Sequence, residues 1–129
     1  MILTNPAGPA LQLRLLIVDD DIGLLDAMKR SLRESVQTVV ACDSFEQARQ
    51  TLKDQQFDAL ITDVRLGAFN GLQLAVMARD MYPKMRLIVF SGFDDPVLRS
   101  DAEQIGASYL VKPVASGELL KLLDPRPAN

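Results

Sequence analysis

Ala59-Leu60-Ile61-Thr62-Asp63 is the stretch on which the fold turns: a short, nearly continuous apolar run that stops at a carboxylate. A run of this kind suits a strand covered on both faces, and its last residue would project from the sheet edge into a cleft. Three further runs end the same way. Leu15-Leu16-Ile17-Val18 stops at Asp19 and Asp20, Leu87-Ile88-Val89-Phe90 at Ser91, and Tyr109-Leu110-Val111 at Lys112. Two acidic ends, a hydroxyl and an ammonium thus stand at four strand ends.

Working outward, the spacing predicts strands near 13–18, 37–41, 58–62, 86–90 and 108–111, alternating with segments of helical length. Such alternation argues for an α/β fold with a parallel sheet. Ile22, Leu25, Met28 and Leu32 recur at spacings of three and four and form one apolar stripe, as expected of a helix packed on a sheet. Ser44 with Gln47 makes a capping-box pattern for a second helix from Phe45 to about Gln55. Asn70 caps a third, from Gly71 to about Met81, which Tyr82 and Pro83 stop. Asp94 or Asp95 with Pro96 opens a fourth, ended by Gly106, and a short fifth runs from Ser116 to Leu123. Residues 1–11 and 124–129 lack an apolar period, carry prolines and read as tails around one domain over 12–123.

Composition narrows the chemistry. The chain has 129 residues and a net charge of −3, with no basic block of the sort that neutralises nucleic-acid phosphates, so direct nucleic-acid binding is not expected. No apolar segment approaches the ~20 residues that span a bilayer, and the first ten residues lack the basic start of an export signal, which fits a cytoplasmic protein. The single Cys42 lies among Val39, Val40 and Ala41 and reads as a buried, inert thiol. Histidine is absent, which excludes imidazole bases, phosphocarriers and metal ligands within the chain. Asp, Glu, Lys, Ser and Tyr are left to do any chemistry.

In an open parallel sheet, ligands bind beyond the carboxyl ends of the strands where strand order reverses. With the first strand central and beside the third, Asp19, Asp20 and Asp63 converge. Two carboxylates 4 Å apart repel by about 4 kcal/mol at an effective dielectric of 20, so the cluster demands protons or a cation. Hard oxygen donors with room for water and phosphate suit Mg²⁺, with Mn²⁺ able to substitute. Lys112 and the ion would neutralise a phosphoryl group arriving at one carboxylate, and Ser91 would donate to an equatorial oxygen.

Each residue also has a plainer explanation. An Asp after a strand caps a helix or forms a turn, a Lys before Pro113 is ordinary surface, Tyr109 is ordinary core with its hydroxyl at the rim, and Ser91-Gly92 is a common turn pair. Their meeting at one edge argues otherwise.

Leu16-Ile17-Val18-Asp19-Asp20-Asp21, Ile61-Thr62-Asp63-Val64-Arg65-Leu66 reaching Asn70-Gly71, Phe90-Ser91-Gly92 and Tyr109-Leu110-Val111-Lys112-Pro113 together resemble the receiver domains of two-component response regulators. The resemblance covers about residues 12–123. It implies a flavodoxin-like, doubly wound sheet of five parallel strands in order 2-1-3-4-5 with five helices. It further implies that Asp63 accepts a phosphoryl group from a phosphohistidine on a sensor histidine kinase or phosphotransfer protein. Asp20 and Asp63 would bind Mg²⁺ through their side chains, Arg65 through its backbone carbonyl and Asp19 through water. Ser91 and Lys112 would contact the phosphoryl oxygens, the Tyr109 rotamer would follow the movement of Ser91, and Pro113 would follow a cis bond. The face of helix four, strand five and helix five would carry the output, to a separate partner, a phosphorelay step or an effector domain, with a homodimer also within reach.

Gly67 departs from the family pattern, standing where a proline is usual, and is expected to loosen the loop after Asp63. Arg65 and Phe93 occupy positions where family members tune phosphoryl lifetime. Two other readings stay open. Asp19-Asp20-Asp21 also fits the Asp-x-Asp of a small haloacid-dehalogenase-type phosphatase, although Glu118 is the only acidic residue between Lys112 and Asp124. The other is a non-phosphorylated binding module on the same fold.

Overall fold

The structure, a computed structural model, describes residues 11–124. Twelve elements follow in order: β1 (Leu11–Val18), α1 (Ile22–Leu32), β2 (Val36–Cys42), α2 (Phe45–Asp54), β3 (Ala59–Asp63), β4 (Arg65–Leu66), β5 (Phe69–Asn70), α3 (Gly71–Met81), β6 (Arg86–Ser91), α4 (Pro96–Gln104), β7 (Ala107–Val111) and α5 (Ser116–Leu123). Five strands form one parallel sheet in the order β2-β1-β3-β6-β7, while β4 and β5 pair separately as an antiparallel hairpin. Leaving that hairpin aside, this is the expected order 2-1-3-4-5. Strand order reverses between β1 and β3, so the crevice opens beyond their carboxyl ends.

The sheet is covered on both faces because side chains alternate along each strand. Leu16, Val18, Leu60, Leu87 and Val89 point to one side, where they pack with Ala48 and Leu52 of α2, Leu72, Leu74, Ala75 and Ala78 of α3 and Ala102 of α4. Leu15, Ile17, Ala59, Ile61, Ile88 and Phe90 point to the other, against Leu25 and Leu32 of α1 and Leu119 and Leu123 of α5. All five residues of β3 are buried, which fixes Asp63 at the end of the most enclosed strand.

The helix starts are set by side-chain caps, as their sequences foretell. Asp21 accepts from Leu24 N, Ser44 from Gln47 N, Asn70 from Leu72 N, and Asp95 from Val97 N and Leu98 N. The reciprocal half of the box at Ser44 goes elsewhere: the Gln47 amide oxygen accepts from Asp43 N, whereas Gln73 does accept from Asn70 N. Asp21, not Asp20, is the cap of α1, so the Asp20 carboxylate is not spent on the helix start.

Two boundaries need correction. Leu11, expected in the tail, belongs to β1: its N–H donates to Ser35 O and it pairs with Val36, so backbone hydrogen bonding carries the strand past its apolar run. The hairpin after Asp63 was expected to be a loosened loop. Instead Gly67 at φ +62° makes the first residue of a two-residue turn between β4 and β5, a position glycine fills without strain. The rest of the expected tail over 1–11, and residues 125–129, lie outside the described residues.

Gly71 governs how closely α3 approaches β3. Its N–H donates to Val64 O at 2.6 Å, and a Cβ there would stand 1.8 Å from the Asp63 carbonyl oxygen and 2.9 Å from its carbonyl carbon. The obstacle is backbone, so no rotamer change relieves it. Gly71→Ala is expected to cost about 2–3 kcal/mol, read as a lower urea midpoint at unchanged slope.

Candidate functional site

Register brings the four strand ends together. Val18 pairs with Thr62, Asp63 with Phe90 and Ser91 with Val111, so each strand terminates within one residue of its neighbour. Val64 N donates to Phe90 O and Lys112 N to Ser91 O, carrying the ladder one step past the strands. The side chains of Asp19, Asp20, Asp63, Ser91 and Lys112 therefore share one rim, as their positions in the sequence suggest.

At its centre Asp19, Asp20 and Asp63 each offer a carboxylate oxygen, all within 4.8 Å of one another. Asp19 is 1% exposed and Asp63 6%, whereas Asp20 faces solvent. The Lys112 ammonium bridges the two buried acids, 3.1 Å from Asp19 Oδ2 and 3.3 Å from Asp63 Oδ1, and lies 4.8 Å from the centre of the Phe90 ring. Asp19 also accepts from the N–H of Asp21. Thr62 closes the floor, its hydroxyl donating to the Asp63 carbonyl.

One ammonium does not balance three carboxylates. Burial pushes the Asp63 pKa up, the Asp19 charge adds to it, and Lys112 offsets only part. Burial would lower the Lys112 pKa, but the hydrogen bond to Asp19 and the charges of Asp63 and Asp19 outweigh it and raise it overall, so the ammonium stays charged at neutral pH. The donor set is all hard oxygen with surplus negative charge, and it fits a small divalent cation.

The hairpin reaches the same rim. Gly67 N–H donates to Asp20 Oδ2 at 3.2 Å, a link that a proline at this position could not make. Arg65 opens β4 with its guanidinium 5.5 Å from the Phe93 ring, so the two exposed side chains bridge the hairpin and the loop before α4. In that loop one residue is held through both of its backbone polar groups. Phe93 N–H donates to Ser91 Oγ at 3.2 Å, and the Tyr109 hydroxyl donates to Phe93 O at 2.7 Å. Tyr109 is buried, and the Lys112–Pro113 bond is cis, as expected.

A cleft of about 660 Å³, lined by Phe57, Tyr82 and Met85 among others, lies at the amino ends of the strands, far from the acids. A smaller one of about 400 Å³ opens between α1 and α5 beside Lys112, lined by Leu24, Met28, Phe90, Pro113, Val114 and Leu119. Among the described residues no helix is long and apolar enough to cross a membrane.

Comparison with known proteins bears on this rim directly. The family model described as response regulator receiver domain matches residues 15–124. The chain belongs to the response regulator receiver domain family. The alginate biosynthesis transcriptional regulatory protein AlgB of Pseudomonas putida is 35% identical over 107 residues, 82% of this chain and 24% of that protein. The DNA-binding transcriptional regulator NtrC of Proteus hauseri is 32% identical over 113 residues, 84% of this chain and 23% of its own length. The receiver chain thus spans about a quarter of the curated relatives it matches. Among solved structures, a CheY-like receiver domain protein from Methanospirillum hungatei superposes with a TM-score of 0.80 at 27% identity, covering 86% of this chain and 90% of that one. A response regulator from Burkholderia pseudomallei, crystallised with a phosphorylated aspartic acid, calcium ion and citrate, gives 0.80 at 25% identity over 87% of this chain and 66% of that one. The family assignment leaves the dehalogenase-type reading without support.

Three contributors escaped the sequence reading: Phe90 beneath the ammonium, the Gly67 amide on Asp20, and Thr62 on the Asp63 carbonyl. Phe90 was recoverable, since it precedes Ser91 on a strand whose partner ends in Lys112. A backbone amide carries no residue signature, and a threonine inside an apolar strand reads as β-propensity.

The raised Asp63 pKa has a definite sign. Around the ordinary Asp value of 3.8 the folded chain keeps a proton that the unfolded chain releases, so this group makes the metal-free domain lose stability as pH rises through that range. Asp63→Asn is expected to raise the metal-free Tm at pH 7.5 by a few degrees, the scale on which ~1 kcal/mol moves a domain of this size, with a smaller gain near pH 3.5. Calorimetry of both proteins at the two pH values checks this.

Proposed function

We propose that this receiver domain is a phosphoacceptor switch that takes a phosphoryl group from a phosphohistidine of a sensor histidine kinase or phosphotransfer protein onto Asp63. The observation that carries the proposal is the Lys112 ammonium spanning Asp19 and Asp63 within a three-carboxylate cluster. In this reading Asp20 and Asp63 hold Mg²⁺, or Mn²⁺ in its place, by their side chains, Arg65 by its backbone carbonyl and Asp19 through water. The ion supplies positive charge against the phosphoryl oxygens.

An Asp63 carboxylate oxygen attacks phosphorus, the phosphorus–nitrogen bond of the donor breaks, and the imidazole leaves with the bonding electron pair and takes a proton from water. Lys112 stays charged throughout and follows the phosphoryl oxygens, since it already stands 3.3 Å from the acceptor. Ser91 supplies a hydroxyl donor as it moves toward a phosphoryl oxygen, leaving the Phe93 N–H from which its Oγ now accepts. That movement releases the Phe93 N–H, while the carbonyl of the same residue is tied to Tyr109, and so carries the event to the face of α4, β7 and α5. No catalytic base is required, and the domain acts as a signalling module that supports its own phosphorylation and dephosphorylation.

The named relatives are transcriptional regulators, and the chain matches about a quarter of their length, which supports an output through a downstream partner or effector. Incubation with acetyl phosphate and Mg²⁺ is expected to add ~80 Da to the intact mass of wild type and nothing to Asp63→Ala. Equal adducts on both would overturn the assignment. Mg²⁺ alone, at about ten times its Kd, is expected to stabilise wild type by about 1.4 kcal/mol and Asp20→Asn far less, read as a Tm shift.

A further inference from the structure

We infer that Arg99 latches Tyr109 in its inward position independently of phosphorylation, so that α4 rather than Ser91 sets the ground state of this aromatic. The inference deepens the switch reading above and rests on it only for the role given to Tyr109. The ring is 5% exposed, packed with the core on the α2–α3–α4 side of the sheet, and its hydroxyl donates to Phe93 O at 2.7 Å. The Arg99 guanidinium lies over the ring, 4.9 Å from its centre. The same group donates from Nη1 to the Tyr109 carbonyl at 3.3 Å and from Nη2 to Asp94 Oδ1 at 2.8 Å.

One planar fork therefore joins α4, β7 and the loop between β6 and α4, using its face on the ring and its edge on two oxygens. A ring that swings outward gives up both the guanidinium contact and the Phe93 bond. Meanwhile Ser91 Oγ still accepts from Phe93 N–H. Tyr109 is thus inside while Ser91 remains on its own loop, which separates two movements that a simple coupled switch would make together. Arg99 is a positioning residue: it touches neither Asp63 nor any other acid of the site.

The chain has no Trp and two Tyr, so Tyr82→Phe leaves Tyr109 as the only strong emitter and makes acrylamide quenching a direct measure of its exposure. In the full chain carrying Tyr82→Phe, weak quenching is expected, unchanged when Mg²⁺ and beryllofluoride are added. Adding Arg99→Met, which keeps the aliphatic stem and helix propensity, is expected to raise the quenching constant about fivefold, the scale of losing one cation–π hold. Asp94→Asn, which frees the guanidinium from the loop without touching the ring, is expected to give a smaller rise, and thermal unfolding of each variant confirms that the fold persists. Quenching in both variants equal to the parent overturns the latch. So does a parent that is strongly quenched until beryllofluoride is added. Absence of the ~80 Da adduct together with the Arg99→Met rise removes the phosphoacceptor reading and supports the latch.

Discussion

The rim is built around a charge imbalance that Lys112 softens without removing. Its ammonium sits between two buried carboxylates and beside the Phe90 ring, on the residue just after β7, whose own N–H is tied to Ser91 O. Everything else at that edge is arranged around this cation. The fully buried β3 presents Asp63 to it, the Asp21 N–H steadies Asp19, and the third acid faces solvent, where an ion can reach it. A buried ion pair is poor evidence of stability, because taking the charges out of water offsets their attraction. Here the residual repulsion is better understood as stored affinity for positive charge.

The sheet and helices were legible because their causes are local. Burial on both faces of β3, of β1 from Leu15 and of β6 from Leu87 follows from short apolar runs, and Ser44, Asn70 and Asp95 cap where they stand in the sequence. The site was legible for a different reason: each of its side chains ends a run, so a correct strand order suffices to gather them. What escaped depends on the backbone. The β4–β5 hairpin contains only four strand residues, too few to show a period, and was masked by the expectation that glycine loosens a loop. The extension of β1 to Leu11 rests on a hydrogen bond to Ser35, which no residue type announces.

A single residue, Phe93, links the chemistry at the rim to the far face. Its N–H donates to Ser91, its carbonyl accepts from the Tyr109 hydroxyl, and its ring meets Arg65 from the hairpin. Three elements thus converge on a short loop, and a change in any one of them alters what the other two can reach. The Arg99 fork, anchored on the same loop through Asp94, adds a contact from α4.

The Gly67–Asp20 contact has a consequence for how such sites are surveyed. The donor belongs to the main chain, and nothing lies within 4 Å of where a Cβ would be added. Truncating Asp20 removes the acceptor together with an acid of the cluster, and Gly67→Ala strains the turn at φ +62° while keeping the donor. Alanine libraries would therefore register this joint without separating the tether from the acid and the turn it connects.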